Sequence, residues 1–484
     1  GPKMVKTLWE KLRVRNREDL EKAARKGKVR KLSRFGEKSE KKILEGIEFL
    51  RASGGRRVLG FELGGIRALE KIIQSFPEVD KALVAGSVRR MKETIRDIDI
   101  LATSGKPVCV MERFITLPLV AHVYARGRTK TLVRLKNGLD ADIRVVPKES
   151  WGAALNYFTG SKEHNIALRE IAIKNGWKLN EYGLFKIKSE KRKAKSGNAK
   201  LKNKEIQIAG KTEKELYERL GLQYIEPEMR ENRGEIKAAR ENKLSKLISY
   251  DDLKGDLQIQ TDWTDGKNSI EEMAHAAIEQ GLEYIAITDH TKSLAMTRGA
   301  DEKKLLKQME KIDKLNYEKF STDPVRDEVS HEAGSNNTLR APLETKSLTG
   351  RAKSRSFRIL KGAEVNIKKD GTLDIKDEVL EKLDVVGAAV HSHFNLSRSE
   401  QTKRIIRAME NPNVDILFHL TTRVINKRGP IELDIDEIIK AAKRTGTALE
   451  IDAYPDRLDI KDEYVRKCVD AGVLMSIDSD AHST

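Results

Sequence analysis

Residues 85–101, AGSVRRMKETIRDIDIL, and residues 136–147, KNGLDADIRVVP, decide how the first half of the chain is read. In Asp97-Ile98-Asp99-Ile100 the carboxylates recur at every second position. On a strand both leave one face while the isoleucines pack beneath the other. Asp142 shows the same alternation in ADIRVV. Carboxylates crowded on one face repel unless a cation neutralises them, and hard oxygen donors suit Mg²⁺ held partly by substrate phosphate. Three of them can hold two ions roughly 3.5 to 4 Å apart, one lowering the pKa of an attacking hydroxyl and the other stabilising the leaving phosphate. Shortly upstream, Gly86-Ser87 offers backbone N–H groups and a hydroxyl to a triphosphate, and Arg89 and Arg90 offer cations. An isolated pair of alternating aspartates could equally be a solvated face, but a glycine-serine turn before it is a nucleotidyltransferase pattern.

The surroundings fit a sheet. From Val79 to Val146 the runs KALVAG, DIDILAT, TLVRLKNG and ADIRVV are short, β-rich and separated by turn residues, which predicts an antiparallel or mixed sheet. Before it, MVKTLWEKL and SEKKILEGIEFL have helical spacing, with Gly36 between the two predicted helices. Residues 187–204, IKSEKRKAKSGNAKLKNK, are strongly basic and predict a solvated loop, with a phosphate-contacting ribbon as the alternative. RENRGEIKAARENKLSKLI follows as a charged helical stretch.

The 484 residues carry 93 Lys and Arg against 75 Asp and Glu, a net charge of +18, which favours a polyanionic partner and nominates nucleic acid. Cys109 and Cys468 stand far apart without a CxxC neighbour, so neither a thiolate metal site nor a disulfide framework is indicated and a reducing cytoplasm fits. No apolar run approaches the roughly 18 residues of a membrane span, and GPKMVKTLWEKLRV lacks a signal-peptide core; no membrane is expected.

After Gly255, strand-like and helix-like segments alternate, as parallel βα units do. Six of the nine histidines fall beyond residue 289, several at predicted strand ends: His290, His391, His419 and His482. With Asp265, Glu364 and Asp480 they form a mixed imidazole and carboxylate set suited to Zn²⁺, Mn²⁺ or Fe²⁺. Residues 321–356, rich in Ser, Asn, Thr, Pro and Arg, read as a surface insertion.

The blocks AGSVRRMKETIRDIDIL, KNGLDADIRVVP, NYFTGSKEHNIALR and LNEYGLF resemble the palm and thumb of family X DNA polymerases, the DNA polymerase beta group, over about residues 1–235. The resemblance implies a DNA-directed DNA polymerase filling gaps in base excision repair, a monomer acting on gapped or primer-template DNA with dNTPs. It implies Asp97, Asp99 and Asp142 as catalytic ligands of two Mg²⁺ or Mn²⁺ ions, with Asp142 also helping to activate the primer hydroxyl. Gly86, Ser87 and Arg90 would hold the triphosphate, Tyr157, Phe158 and Gly160 would line the sugar pocket, and Asn165 and Arg169 would face the incoming base and template. Where the family usually has glycine before the first aspartate, this chain has Arg96, a cation that either crowds the pocket or contacts phosphate. The N-terminal helices resemble the family's helix-hairpin-helix region, with turns at Gly1-Pro2-Lys3 and Ser33-Arg34-Phe35-Gly36, the second carrying arginine where glycine is usual. The family's preceding lyase-like domain is not in this sequence, so no deoxyribose-phosphate lyase activity is expected.

The blocks GDLQIQTDWTDG, ITDH, GAEVNI, AAVHSHF, FHLTTR and SIDSDAHS resemble the PHP (polymerase and histidinol phosphatase) domain, a distorted (β/α)7 barrel carried by bacterial and archaeal family X polymerases. Seven ligand positions remain in Asp265, His290, Glu364, His391, His419, Asp480 and His482, while Gln258 and Gln260 stand where the family has histidines. Partial binding of Zn²⁺ or Mn²⁺ and a weakened 3′-5′ exonuclease or AP-endonuclease-type phosphoesterase are implied. The sequence stops just after His482, where a closing helix is expected, so the expectation is an open or unstable barrel.

The expected organisation is multidomain: a helix-hairpin-helix segment at 1–70, an α+β palm at 71–150, a thumb at 151–235, a linker at 236–254 and the PHP domain at 255–484. The alternative reading is a DNA-binding repair scaffold in which Arg96, the altered turns and the two glutamines mark weakened catalysis.

Overall fold

The computed structural model of the chain describes residues 2–33, 35–52, 55–192, 200–320 and 357–484. They form two compact units, one of residues 1–247 with 425–427 and one of residues 248–424 with 428–484.

The first unit opens with three helices, Pro2–Leu12, Arg17–Arg25 and Glu37–Ala52, around Leu8, Ala24, Val29 and Phe35. Apolar spacing predicts only the outer two. The middle one, REDLEKAAR, has only Leu20, Ala23 and Ala24 as apolar residues, and its start is fixed by Asn16, whose side chain accepts the Asp19 N–H at 2.8 Å. Of the two expected hairpin turns, Gly1 and Arg34 lie outside the described residues.

The five-stranded sheet runs in the order Lys81–Val84, Asp97–Thr103, Asp140–Val146, Lys130–Leu135, Val120–Arg126. All pairings are antiparallel except the second, where Asp97–Thr103 and Asp140–Val146 run parallel with Asp97 opposite Asp140 and Asp99 opposite Asp142. Beneath that face Ile98, Ile100, Ala141 and Ile143 are buried against the helices Leu59–Gln74 and Pro107–Ile115. Burying the three isoleucines contributes about 1.5 to 3 kcal/mol each, Ala141 less, and fixes which parity faces away from the core.

Beyond the sheet, helices Trp151–Thr159, Lys162–Lys174 and Glu213–Arg219 pack with an antiparallel three-stranded sheet. The basic stretch expected to be a loop is instead a ribbon where it is described: Gly183–Arg192 pairs with Lys200–Ala209, Ile187 opposite Glu205, while residues 193–199 lie outside the described residues. Leu184 and Ala209 anchor the ribbon in the core, a tie that composition of the charged segment conceals. The long charged helix also shortens, to Glu235–Arg240, between Gly234 at φ 111° and Asn242 at φ 56°.

The second unit is one parallel sheet whose seven strands follow chain order: Gly255–Ile259, Tyr284–Ile287, Arg358–Asn366, Val385–Ala389, Ile416–Leu417, Ala448–Asp452 and Met475–Asp478. The expected opening is corrected at the seam. Ile259 bridges Ala481 in parallel, and the Gln260 N–H donates to the Ala481 carbonyl at 2.9 Å, so the residues just past the last strand return to the first. Helices on the outside begin at capping boxes readable as S-x-x-E, Ser269 with Glu272 and Ser397 with Glu400. The expected insertion at 321–356 lies outside the described residues. Among the described residues, no helix is long and apolar enough to cross a membrane.

Candidate active sites

In the first unit the parallel register sets Asp97, Asp99 and Asp142 on one face of two adjacent strands. Gly86 has φ 61°, and a Cβ on it would meet Asp99 Oδ2 at 2.1 Å, so only glycine lets the turn come this close to the carboxylate. Ser87 and Arg89 continue it as a single helical turn, Gly86–Arg89. Burial raises the Asp99 carboxyl to about 6, and the charges of Asp97 and Asp142 add to the rise. Asp142 Oδ2 takes Lys130 Nζ at 2.9 Å and Arg144 at 3.4 Å, while its buried Oδ1 has no hydrogen-bond partner among the described residues. Hard oxygen donors, mutual repulsion and an orphaned oxygen fit a divalent cation. Arg96 is exposed next to Asp97.

Arg90, expected at a triphosphate, donates from Nε to Glu231 Oε1 at 2.8 Å and from Nη1 to the Thr159 carbonyl. Arg89 makes a bidentate pair with Glu213 at 3.0 and 2.7 Å, and Arg230, fully buried, donates to the same carboxylate at 2.6 Å. Tyr157 and Phe158 meet edge to face at 5.1 Å, with the Arg144 guanidinium 4.5 Å over the Phe158 ring. Gly160 ends their helix at φ 69°. Asn165 is buried and donates to the Tyr157 carbonyl at 2.8 Å, and Arg169 Nε donates to the Asn165 carbonyl at 3.2 Å. The segment expected to select a nucleotide is therefore tied together locally.

In the second unit, Asp265, His290, Glu364, His391, His419, Asp480 and His482 lie on or just past strands or on the following loops. Glu364 is at the centre. Its Oε1 has His391 Nε2 at 2.9 Å and His419 Nε2 at 2.8 Å, and its Oε2 has His290 Nδ1 at 3.1 Å. Asn366 accepts the His391 Nδ1–H at 2.8 Å, and the Asp480 carbonyl accepts the His482 Nδ1–H at 2.7 Å; each fixes a tautomer whose Nε2 faces the site. Two sets of three donors have ligand atoms within 4.8 Å of one another among the described residues: Asp265, His290 and His482, and His290, Glu364 and His391. His419 at φ 28° and Asp480 at φ 51° hold left-handed backbone, which non-glycine residues keep only where surrounding contacts enforce it.

The two glutamines behave differently. Gln258 is fully buried and, among the described residues, neither amide atom has a hydrogen-bond partner. The Gln260 amide donates to Glu364 Oε2 at 2.8 Å and lies 3.5 Å from Asp480 Oδ1.

Residues 154–231 match the family model for the DNA polymerase beta thumb, and residues 256–454 match the PHP domain. A protein of Bacillus subtilis (strain 168) described as "DNA polymerase/3'-5' exonuclease PolX" is 35% identical over 485 aligned positions, covering 100% of this chain and 76% of that one. The chain belongs to the family X DNA polymerases that carry a PHP domain. A probable phosphatase of Syntrophotalea carbinolica is 40% identical over 97 residues, 19% of this chain and 38% of that protein. Leishmania infantum polymerase beta in a ternary complex aligns at 22% identity with a TM-score of 0.30, over 48% of this chain and 94% of that one.

Several residues of this PHP-bearing polymerase escaped sequence reasoning. Asp140 shares the face of Asp97, Asp99 and Asp142, but Arg134 Nε pairs with it at 2.5 Å. Its alternation with Asp142 was a visible signal; its partner was not. Arg457 stands 3.4 Å from both Asp452 Oδ2 and Asp480 Oδ2, and Glu450 accepts the His419 N–H at 2.5 Å. Nothing in the spacing marks these as belonging to the histidine cluster.

Proposed function

We propose that this chain is a DNA-directed DNA polymerase that fills gaps in base excision repair by two-metal nucleotidyl transfer, working as a monomer in the cytoplasm. One observation carries the reading: Asp97, Asp99 and Asp142 share a face by strand register, with the Gly86-Ser87 turn against Asp99. Mg²⁺ or Mn²⁺ bound by these aspartates would supply a lowered pKa at the primer hydroxyl and positive charge at the leaving phosphate. The chain's own contribution is placement. Ser87 and the N–H groups of its turn face the triphosphate, the Tyr157-Phe158 pair excludes a ribose hydroxyl by bulk, and Asn165 and Arg169 orient base and template. Arg90, held by Glu231 and Thr159, joins the triphosphate site to the thumb. In this reading residues 1–70 grip DNA, 71–150 form the palm, 151–235 the thumb, and 255–484 a metal-dependent phosphoesterase.

The phosphoesterase is a 3′-5′ exonuclease or AP-endonuclease type, weakened at Gln258 and Gln260. Asp265, His290, Glu364, His391, His419, Asp480 and His482 would hold Zn²⁺ or Mn²⁺ there. The carboxylate and imidazole set fits such ions, but the two glutamine positions do not.

The polymerase reading is tested on a one-nucleotide-gapped duplex with dNTPs and Mg²⁺ or Mn²⁺, against an Asp97→Ala/Asp99→Ala control. Extension by the parent alone supports it. Gapped DNA bound without extension in either metal would sink it in favour of a repair scaffold.

A further inference from the structure

Gln260 follows the first barrel strand and is fully buried. Its amide nitrogen reaches two carboxylates at once, Glu364 Oε2 at 2.8 Å and Asp480 Oδ1 at 3.5 Å. Every oxygen of those carboxylates faces a donor of the protein. Glu364 Oε1 takes His419 Nε2 at 2.8 Å, Glu364 Oε2 takes the Gln260 amide, and Asp480 Oδ2 has Arg457 Nε at 3.4 Å, while His391 Nε2 and His290 Nδ1 stand close to Glu364 without a hydrogen bond among the described residues. The amide is neutral and satisfies hydrogen bonding alone; the guanidinium brings the fixed positive charge that a divalent ion would otherwise bring. Arg457 also serves Asp452 at 3.4 Å, so its charge is shared across the buried carboxylates.

The neighbouring set is free of this arrangement. Asp265 Oδ1 is 3.7 Å from His290 Nε2, Asp265 Oδ2 is 3.8 Å from His482 Nε2, and Gln260 contributes to neither contact. Asp265 and His482 are also partly exposed, which gives an ion a way in.

We infer that Gln260 and Arg457 together take the place of a metal ion between Glu364 and Asp480, so that the barrel binds one zinc ion, at Asp265, His290 and His482. The inference deepens the phosphoesterase reading and rests on its assignment of these donors to metal. It also gives the substitution a positive consequence: the carboxylates are satisfied when that position holds no ion, so this part of the barrel stands without metal.

The test counts zinc, not turnover. The full chain carrying Asp97→Ala and Asp99→Ala, which removes the palm's ions from the count, is stripped with chelator, titrated with Zn²⁺ by calorimetry, and its bound zinc measured after gel filtration. One tightly bound zinc per chain is expected, lost in Asp265→Ala and rising to two in Gln260→His. Two or more in the parent, or one in both the parent and a cooperatively melting Gln260→His, overturns the inference while leaving the phosphoesterase reading standing. No zinc in either overturns both. Should Gln260→His fail to fold, Gln260→Ala decides: withdrawing the amide frees Glu364 and Asp480, so a second, weaker binding step is expected, and a folded variant without one overturns the inference.

Discussion

The five-stranded sheet and the barrel each gather carboxylates, but Asp99 in the sheet faces other acids while Glu364 in the barrel is met by imidazoles; elsewhere in the barrel Asp452 and Glu450, like Asp99, are raised by burial and by neighbouring carboxylates. Asp99 is raised to about 6 by burial and then by Asp97 and Asp142. Glu364 is more deeply buried, which opposes its charge, but His290 and His391 hold it well below the usual carboxylate range. His290 answers in kind: burial opposes its proton, and Glu364 and the other carboxylates raise it to about 9. A site whose ligands repel one another depends on a cation from outside; a site whose ligands are already paired can stand without one.

The largest expected effect breaks the palm's side. Asp97→Ala/Asp99→Ala should lower primer extension on gapped DNA by about a thousandfold or more, since an ion there is worth several kcal/mol of transition-state charge stabilisation. Zinc uptake by the barrel should not change, which a metal count on the same sample checks.

Glu213 tests an internally neutralised carboxylate within the polymerase unit. Burial opposes its charge, but Arg89 and Arg230 overcome that and hold its pKa below the ordinary value of 4.5. Because the folded value is depressed, its contribution is present above the ordinary value and is lost as pH falls through the folded one. Glu213→Gln strands the buried Arg230 charge and should cost about 3 to 5 kcal/mol in urea unfolding at neutral pH, with the deficit shrinking towards pH 3. An unchanged unfolding midpoint would remove this pair from the account.

Gly86→Ala sharpens the palm further. The added methyl would sit 2.1 Å from Asp99 Oδ2, so the turn or the carboxylate must move by about an ångström. Extension should fall about a hundredfold while the melting temperature changes little, because positioning is lost before packing.

The smallest effect belongs to the barrel. Gln258 is buried with an amide that bonds to nothing among the described residues. Gln258→Leu should stabilise the metal-free protein by about 1 kcal/mol, read as a shift in urea midpoint. A destabilised variant would mean that the amide has a partner after all.

Much of this contrast was open to reading in the sequence because alternation and strand-end chemistry are local. Asp97-Ile98-Asp99 and Ala141-Asp142-Ile143 announce their faces by parity. His290, His391 and His419 each come within three residues of a short apolar run that reads as a buried strand. The parallel pairing that puts Asp99 beside Asp142 is long-range, and no local pattern reports it. The pairing of Arg457 with Asp480, the seam at Ile259 and Ala481, and the ribbon at Gly183–Arg192 are likewise set by contacts between distant segments. Composition misled for that ribbon: lysines in a row describe what side chains prefer, while the backbone ladder is decided by the strand beside it.

The parallel register in the palm makes the active face a matter of odd and even. Sliding Asp140–Val146 by two residues against Asp97–Thr103 would offset the acids but leave all of them on one face; sliding it by one would bring Ala141 and Ile143 to that face and send Asp142 into the core. Length changes in the turns of the connection, residues 104–139, which carries a helix and two strands of the same sheet, leave this parity untouched. A single extra residue within either strand reverses it, and natural length variation in this fold should be confined to the loops for that reason.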